Sequence, residues 1–282
     1  MFSRIISAPF LVLAIGFLYL TWDVNPSYAF YIIPCVIILA VIYIMSPQIE
    51  WWWAKRNPPE LDDQARLLIH KHSGFYKRLS AEDKTYFRRR LVYFLMNKEF
   101  MPQAFELVPE DIKIMIAAAA VQVTFGQVDF VLEPFDKIVV YPEAFPSPQY
   151  PRHRHSSETF AEDGVILVSA RHVAHGFMDP QKYYPSAIHE YAHVFMIKYP
   201  ALEYPELPAN SWEAITQISG FSKEKLLEWI GLPQVDPYLV MLTCFFSYPE
   251  KFESTLPDLY QSLVSLFRLD AIHPVSSAPL VS

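Results

Sequence analysis

Residues 189–193 read His-Glu-Tyr-Ala-His. Side chains four apart share one face of a helix, so a helix here would turn the imidazoles of His189 and His193 toward one metal ion. Glu190 would stand beside that ion, placed to take a proton from metal-bound water. No charged residue flanks the motif: Ile188 precedes it, and Val194 and Phe195 follow it. That setting suits a helix buried around a zinc ion, running from near Pro185 to a stop before Pro200.

Two histidines do not complete a catalytic zinc site, which usually has three protein ligands and one open position. The residues just after His193 lack the Gly and third His of a metzincin, so the third ligand is expected downstream. Glu213 is one candidate. Its Glu-Ala-Ile setting resembles the glutamate helix of thermolysin-like gluzincins, although an acid in the first turn of a helix needs no metal to explain it. Asp236 is the other, and Asp before Pro237 equally reads as an N-cap and N1 pair.

The elements that must position these groups are mostly helical. Ser80 reads as the N-cap of a helix reaching about Asn97, and Arg88, Arg89 and Arg90 on it read as a solvated face or a contact with anionic lipid. Residues 109–125 form a second helix, in which Ala117, Ala118, Ala119 and Ala120 permit close packing. The apolar runs 137–141 and 165–169 read as strands. Between them, Arg152-His153-Arg154-His155 reads as exposed loop. His172 and His175 likewise read as exposed loop rather than metal ligands, and His70 and His72 read as surface residues. Helices follow at 211–219, 222–230, 237–247 and 256–269. The class is α+β.

Residues 5–22 and 28–45 are uncharged, each close to the roughly 20 apolar residues that span a bilayer as helix. The polar Asp23-Val24-Asn25-Pro26-Ser27 between them reads as a turn. A membrane hairpin is expected. A cleaved signal peptide is the alternative for the first run, but no small-residue cleavage site stands out and a second span follows. Arg4 before the first span, and Lys55 and Arg56 after the second, place both ends in the cytoplasm by the positive-inside bias. Trp51, Trp52 and Trp53 suit the interface. The organisation expected is an anchor over 1–50, a juxtamembrane linker over 51–74 ending its Pro58-Pro59 stretch early, a zincin-like domain over 75–272 and a tail over 273–282.

A net charge of −7 argues against direct nucleic-acid binding. Cys35 falls in a span and Cys244 in a core helix, so no disulfide is expected.

Several segments together resemble the Mlc titration factor A family of zinc-dependent peptidases, whose zinc region is similar to the anthrax lethal factor catalytic domain. They include Asn97-Lys98-Glu99-Phe100, Val139-Val140-Tyr141-Pro142-Glu143, Gly164-Val165-Ile166-Leu167-Val168-Ser169, the motif itself, and Phe245-Phe246-Ser247-Tyr248-Pro249-Glu250. The resemblance covers residues 75–272 in order and leaves the spans outside. It implies a zincin-like fold, bound Zn2+, a peptide or protein substrate, and His189 and His193 as metal ligands with Glu190 as catalytic base. It also implies that the strand at 165–169 lies along the cleft, as zincin edge strands do. Counting back from Pro249 without a gap places the family's third-ligand glutamate at Asp236; with a gap, Asp236-Pro237 falls on a helix start and the ligand is lost. Thr243 stands where relatives often have a second glutamate. The leading expectation is a membrane-anchored zinc metallopeptidase facing the cytoplasm. The alternative is a non-catalytic zincin-fold module that binds a protein, with a transcriptional regulator as the partner the resemblance suggests. A metal-stabilised structural protein is a weaker third option, because closed zinc sites favour four ligands.

Overall fold

The computed structural model describes residues 2–57, 59–104 and 106–275. Pro58, residues 276–282 of the expected tail, and the side chains of Trp51 and Lys55 lie outside that description. The chain divides into two compact units, residues 1–59 and 60–282.

The first unit is a helical hairpin. Helix α1 (Phe2–Asp23) and helix α2 (Ala29–Ile44) are joined by a single 3-10 turn (Pro26–Tyr28). Asn25 starts that turn by accepting a hydrogen bond from the Ser27 amide at 2.8 Å, and Pro26 supplies the preset φ of its first position. Most of the large apolar side chains on the hairpin are exposed, including Val12, Ile15, Phe30 and Ile37. The two segments of 22 and 19 residues are long and apolar enough to cross a bilayer. Helix α3 (Ser46–Arg56) returns to the start of α1, where the Ser3 amide and hydroxyl donate to Glu50 Oε1 at 2.9 and 2.7 Å.

The second unit is mainly helical around a four-stranded mixed sheet. Its strands are β1 (Glu99–Pro102), β2 (Lys137–Tyr141), β3 (Ser157–Phe160) and β4 (Val165–Ser169). Their order is β1-β2-β4-β3, with β1, β2 and β4 parallel and β3 antiparallel to β4. The apolar runs β2 and β4 therefore fill the middle, as fully buried strands do. The turn from β3 to β4 closes on Gly164, whose φ of +62° is open to glycine and whose Cβ, if present, would lie 2.3 Å from the Pro134 carbonyl oxygen.

Helix α7 (Glu110–Val123), whose alanine run Ala117–Ala120 is 2 % exposed or less, packs against helix α9 (Ser186–Lys198). Helix α9 also packs on helix α12 (Pro237–Ser247) and on β3. Around this frame lie α4 (Asp63–His72), α5 (Gly74–Arg78), α6 (Ala81–Asn97), α8 (Ala170–Met178), α10 (Ser211–Ser219), α11 (Lys223–Ile230), α13 (Pro249–Thr255) and α14 (Pro257–Phe267).

Four expectations are revised. The stretch 51–74 contains α4, whose Ala65 and Ile69 join the core of the second unit. Arg90 is buried rather than solvated: its guanidinium donates to the carbonyls of Thr124, Phe125 and Gln127 and lies over the rings of Tyr86 and Phe130. Those carbonyls lie at and just beyond the end of α7, where unpaired acceptors gather and a cation is favoured. His155 is fully buried at the end of its loop. Finally, β4 is an inner strand, and the sheet edge beside α9 is β3.

Candidate metal centre

Helix α9 carries the motif on a buried face. His189 is 7 % exposed and Glu190 3 % exposed, whereas His193 opens toward solvent with 38 % of its side chain accessible. The helix follows Pro185 and ends at Tyr199, immediately before Pro200, where the following ring disfavours continued helix. Its first turn is held by Trp229 of α11, whose indole N–H donates to the Tyr184 carbonyl and to Ser186 Oγ, both at 3.1 Å.

The protonation of the two imidazoles follows from donor counting. The Leu239 carbonyl can only accept, so the Thr243 hydroxyl donates to it at 2.8 Å. Thr243 then accepts from Tyr184 at 3.0 Å, and Tyr184, its own proton committed, accepts from His189 Nδ1 at 2.8 Å. His189 therefore carries its proton on Nδ1 and keeps the Nε2 lone pair. His193 Nδ1 lies 3.3 Å from Glu190 Oε1, a carboxylate acceptor, so this nitrogen also carries a proton. Thr159 of β3 donates to that same oxygen.

Electrostatics support these roles. Burial lowers the His189 pKa to about 4, more than the Glu190 charge raises it, so this imidazole is neutral near pH 7. Burial would raise the Glu190 carboxyl, but hydrogen bonding from His193, the charges of both histidines and the Ser157 hydroxyl hold it down at about 2. Burial works against a charged His193, and the Glu190 carboxylate outweighs it, leaving His193 above its ordinary value.

These side chains line a cleft of about 150 Å³ together with Ser157, Glu158 and Thr159 of β3, Tyr150, and the segment from Ile230 to Leu239 that carries Asp236. The structure thus brings His189, Glu190, His193 and Asp236 to one cleft. Glu213 is exposed on the first turn of α10 and does not line it. Asp236 caps α12, its Oδ1 accepting from the Tyr238 amide at 2.8 Å. Among the described residues, no three His, Cys, Asp or Glu side chains stand close enough to hold a metal. A roomier cavity of about 280 Å³ lies against Ala187 and Ile188 and takes in none of the motif side chains.

Residues 49–216 match the model of the glucose-regulated metallo-peptidase M90 family, the Mlc titration factor A family. The chain belongs to that family. The M90 match takes in α9 with His189, Glu190 and His193, as well as Glu213, and ends before Asp236. Membership implies a metal, and the donors fit one: two imidazoles on one helix face, each with its Nδ1 turned to a protein acceptor, are ligand types that zinc prefers. No curated protein shows detectable similarity to the chain.

The sequence alone did not reveal Tyr184, Thr243, Ser157 or Thr159. Thr243 carried a signal, since it occupies a family glutamate position. Ser157 and Thr159 reach the site only through the pairing of β3 and its packing on α9, whereas Tyr184 lies just before α9, five residues from His189.

Proposed function

We propose that this M90 member is a membrane-anchored, zinc-dependent metallopeptidase. The observation that carries the reading is the single cleft that a buried Glu190 shares with two imidazoles whose Nδ1 atoms are both held by protein acceptors. His189 and His193 hold the metal, and Asp236 completes the set. An aspartate reaches about 1.5 Å less far than a glutamate, so Asp236 would have to give up its bond to the Tyr238 amide. A zinc ion bound there supplies Lewis acidity toward a substrate carbonyl oxygen and makes water acidic.

The Glu190 carboxylate accepts the proton of the attacking water and returns it to the leaving amine. Thr159 and His193, both on its Oε1, orient the carboxylate. Substrate lies along β3, the edge strand beside α9, and is bound by strand addition. The hairpin α1–α2 spans the inner (cytoplasmic) membrane, with Arg4 and Arg56 on the cytoplasmic side together with the catalytic unit.

Glu190→Gln tests this reading. It should abolish hydrolysis of a peptide library while zinc stays bound, and full activity in that variant would sink the mechanism.

A second reading is favoured by one observation, the absence of a three-donor cluster among the described residues. In it the chain is a non-catalytic module that binds a protein such as a transcriptional regulator. Purified protein that neither retains zinc nor cleaves any peptide would support it.

A further inference from the structure

Strand β3 has a partner on one side only. Beyond it the sheet ends, and Ser157, Glu158 and Thr159 all border the cleft. Successive strand side chains point to opposite faces. Thr159 reaches Glu190, so Ser157 and Thr159 face α9, and Glu158 lies on the other face, opposite Leu167 of β4.

Glu158 is an unusual residue for that position. It is only 8 % exposed. Its Oε2 lies 3.2 Å from His155 Nε2, and His155 is itself fixed by its Nδ1 on the His153 carbonyl at 3.2 Å. Its Oε1 is buried and has no hydrogen-bond partner among the described residues. A buried carboxylate oxygen without a donor is costly. Glu158 as a residue lines the cleft, where an incoming molecule can supply the donor.

We propose that Glu158 is a specificity residue that binds the side chain of a Lys or Arg in a peptide laid along β3. The inference rests on the strand-addition reading of the cleft. A strand added to β3 continues its alternation, and directly opposed residues present their side chains on the same face. The substrate residue opposite Glu158 therefore projects beside Glu158, away from Glu190. Lys and Arg bring N–H donors and a positive charge to Oε1. Their aliphatic stems lie against Tyr150, whose ring meets His155 edge-on at 5.6 Å. His155 holds Oε2 from behind and leaves Oε1 for the ligand.

The test uses the full chain in lipid nanodiscs, loaded with zinc, and peptide pools in which one position at a time is fixed. One position should favour Lys or Arg over norleucine by at least about tenfold in kcat/KM, a modest gain for a charge-assisted contact. Glu158→Gln should reduce that ratio to near one, chiefly through KM, and Glu158→Lys should shift the preference toward Asp and Glu. Fluorescence anisotropy on the Glu190→Gln variant should show the same basic preference in binding alone.

Cleavage without a Lys or Arg preference in the unaltered protein overturns the assignment, whatever the variants do. So does a preference that survives Glu158→Gln, or one that follows a free N-terminus and vanishes on acetylation. Basic peptides that bind preferentially but are never cleaved would leave Glu158 in its role and remove the peptidase reading instead.

Discussion

A metal-binding imidazole must keep one nitrogen free, and here the protein fixes which one. The relay from His189 Nδ1 through Tyr184 and Thr243 to the Leu239 carbonyl ends in a group that can only accept, so every proton along it has one direction. Removing such an outer partner typically costs 10–100-fold in metal affinity. Tyr184→Phe should therefore weaken zinc by roughly that factor, and Thr243→Val by less, because it leaves the tyrosine in place. In metal-free protein, nitrogen NMR should show His189 losing its pure Nδ1–H form in Tyr184→Phe; unchanged tautomer and affinity would remove the relay from the site. The third ligand is tested separately. Asp236→Ala should lower zinc content and Glu213→Ala should not, since only Asp236 lines the cleft. The motif was legible in sequence because its geometry is local, three residues of one helix. Thr243 and Thr159 were not, because they meet α9 through long-range packing, and Tyr184, only five residues before His189, belongs to no recognisable motif. Asp236 led Glu213 only by a count along the family resemblance, and the course of the chain from α10 to α12 brings Asp236 alone to the cleft.

At the level of elements, the wall of the cleft depends on a close approach between the loop before β3 and the end of α11. Gly231 closes α11 with φ +83°, and a Cβ there would lie 2.0 Å from the Arg154 carbonyl oxygen. The Ser156 amide donates to the Ile230 carbonyl at 2.9 Å in the same place. Gly231→Ala should destabilise the second unit by about 2–4 kcal/mol, combining left-handed backbone strain with a steric clash. A denaturation midpoint equal to wild type would show that the loop yields easily. A second tie anchors the far end of the motif helix, where Lys198 meets Asp129 at 2.5 Å. Burial works against the Asp129 charge, but the Lys198 bond outweighs it and leaves the carboxyl below its ordinary value. A depressed folded-state pKa stabilises above the unfolded value of about 3.9 and ceases to do so as pH falls through the folded value. Asp129→Asn should therefore be less stable than wild type in urea at neutral pH, by a small margin at this half-exposed site, and the gap should close in strong acid. The two apolar strands were readable as runs. Strand β3 was not, because Ser-Glu-Thr carries no apolar signal; its polar character is what an edge strand over a reactive cleft requires.

On the scale of the whole molecule, the chain joins a lipid-suited hairpin to a self-sufficient core. The hydrophobic cluster of the second unit runs from Leu61 to Ala271 and takes in no residue of the first. A chain beginning at Glu60 should therefore stay in solution without detergent, unfold cooperatively and bind zinc as the full chain does. The full chain should remain with membranes after carbonate extraction. Topology is the sharper test, because the orientation argument rests on few charges: Arg4 at one end and Arg56 at the other, against Asp23 in the turn. A cysteine placed at Asn25 in a Cys35→Ala background should react with an impermeant maleimide added outside the inner membrane, while one placed at Glu60 should react only after the membrane is opened. The reverse pattern would put the catalytic unit outside the cytoplasm. It would also remove a cytoplasmic regulator from the partners open to this chain, while leaving the chemistry of the cleft untouched.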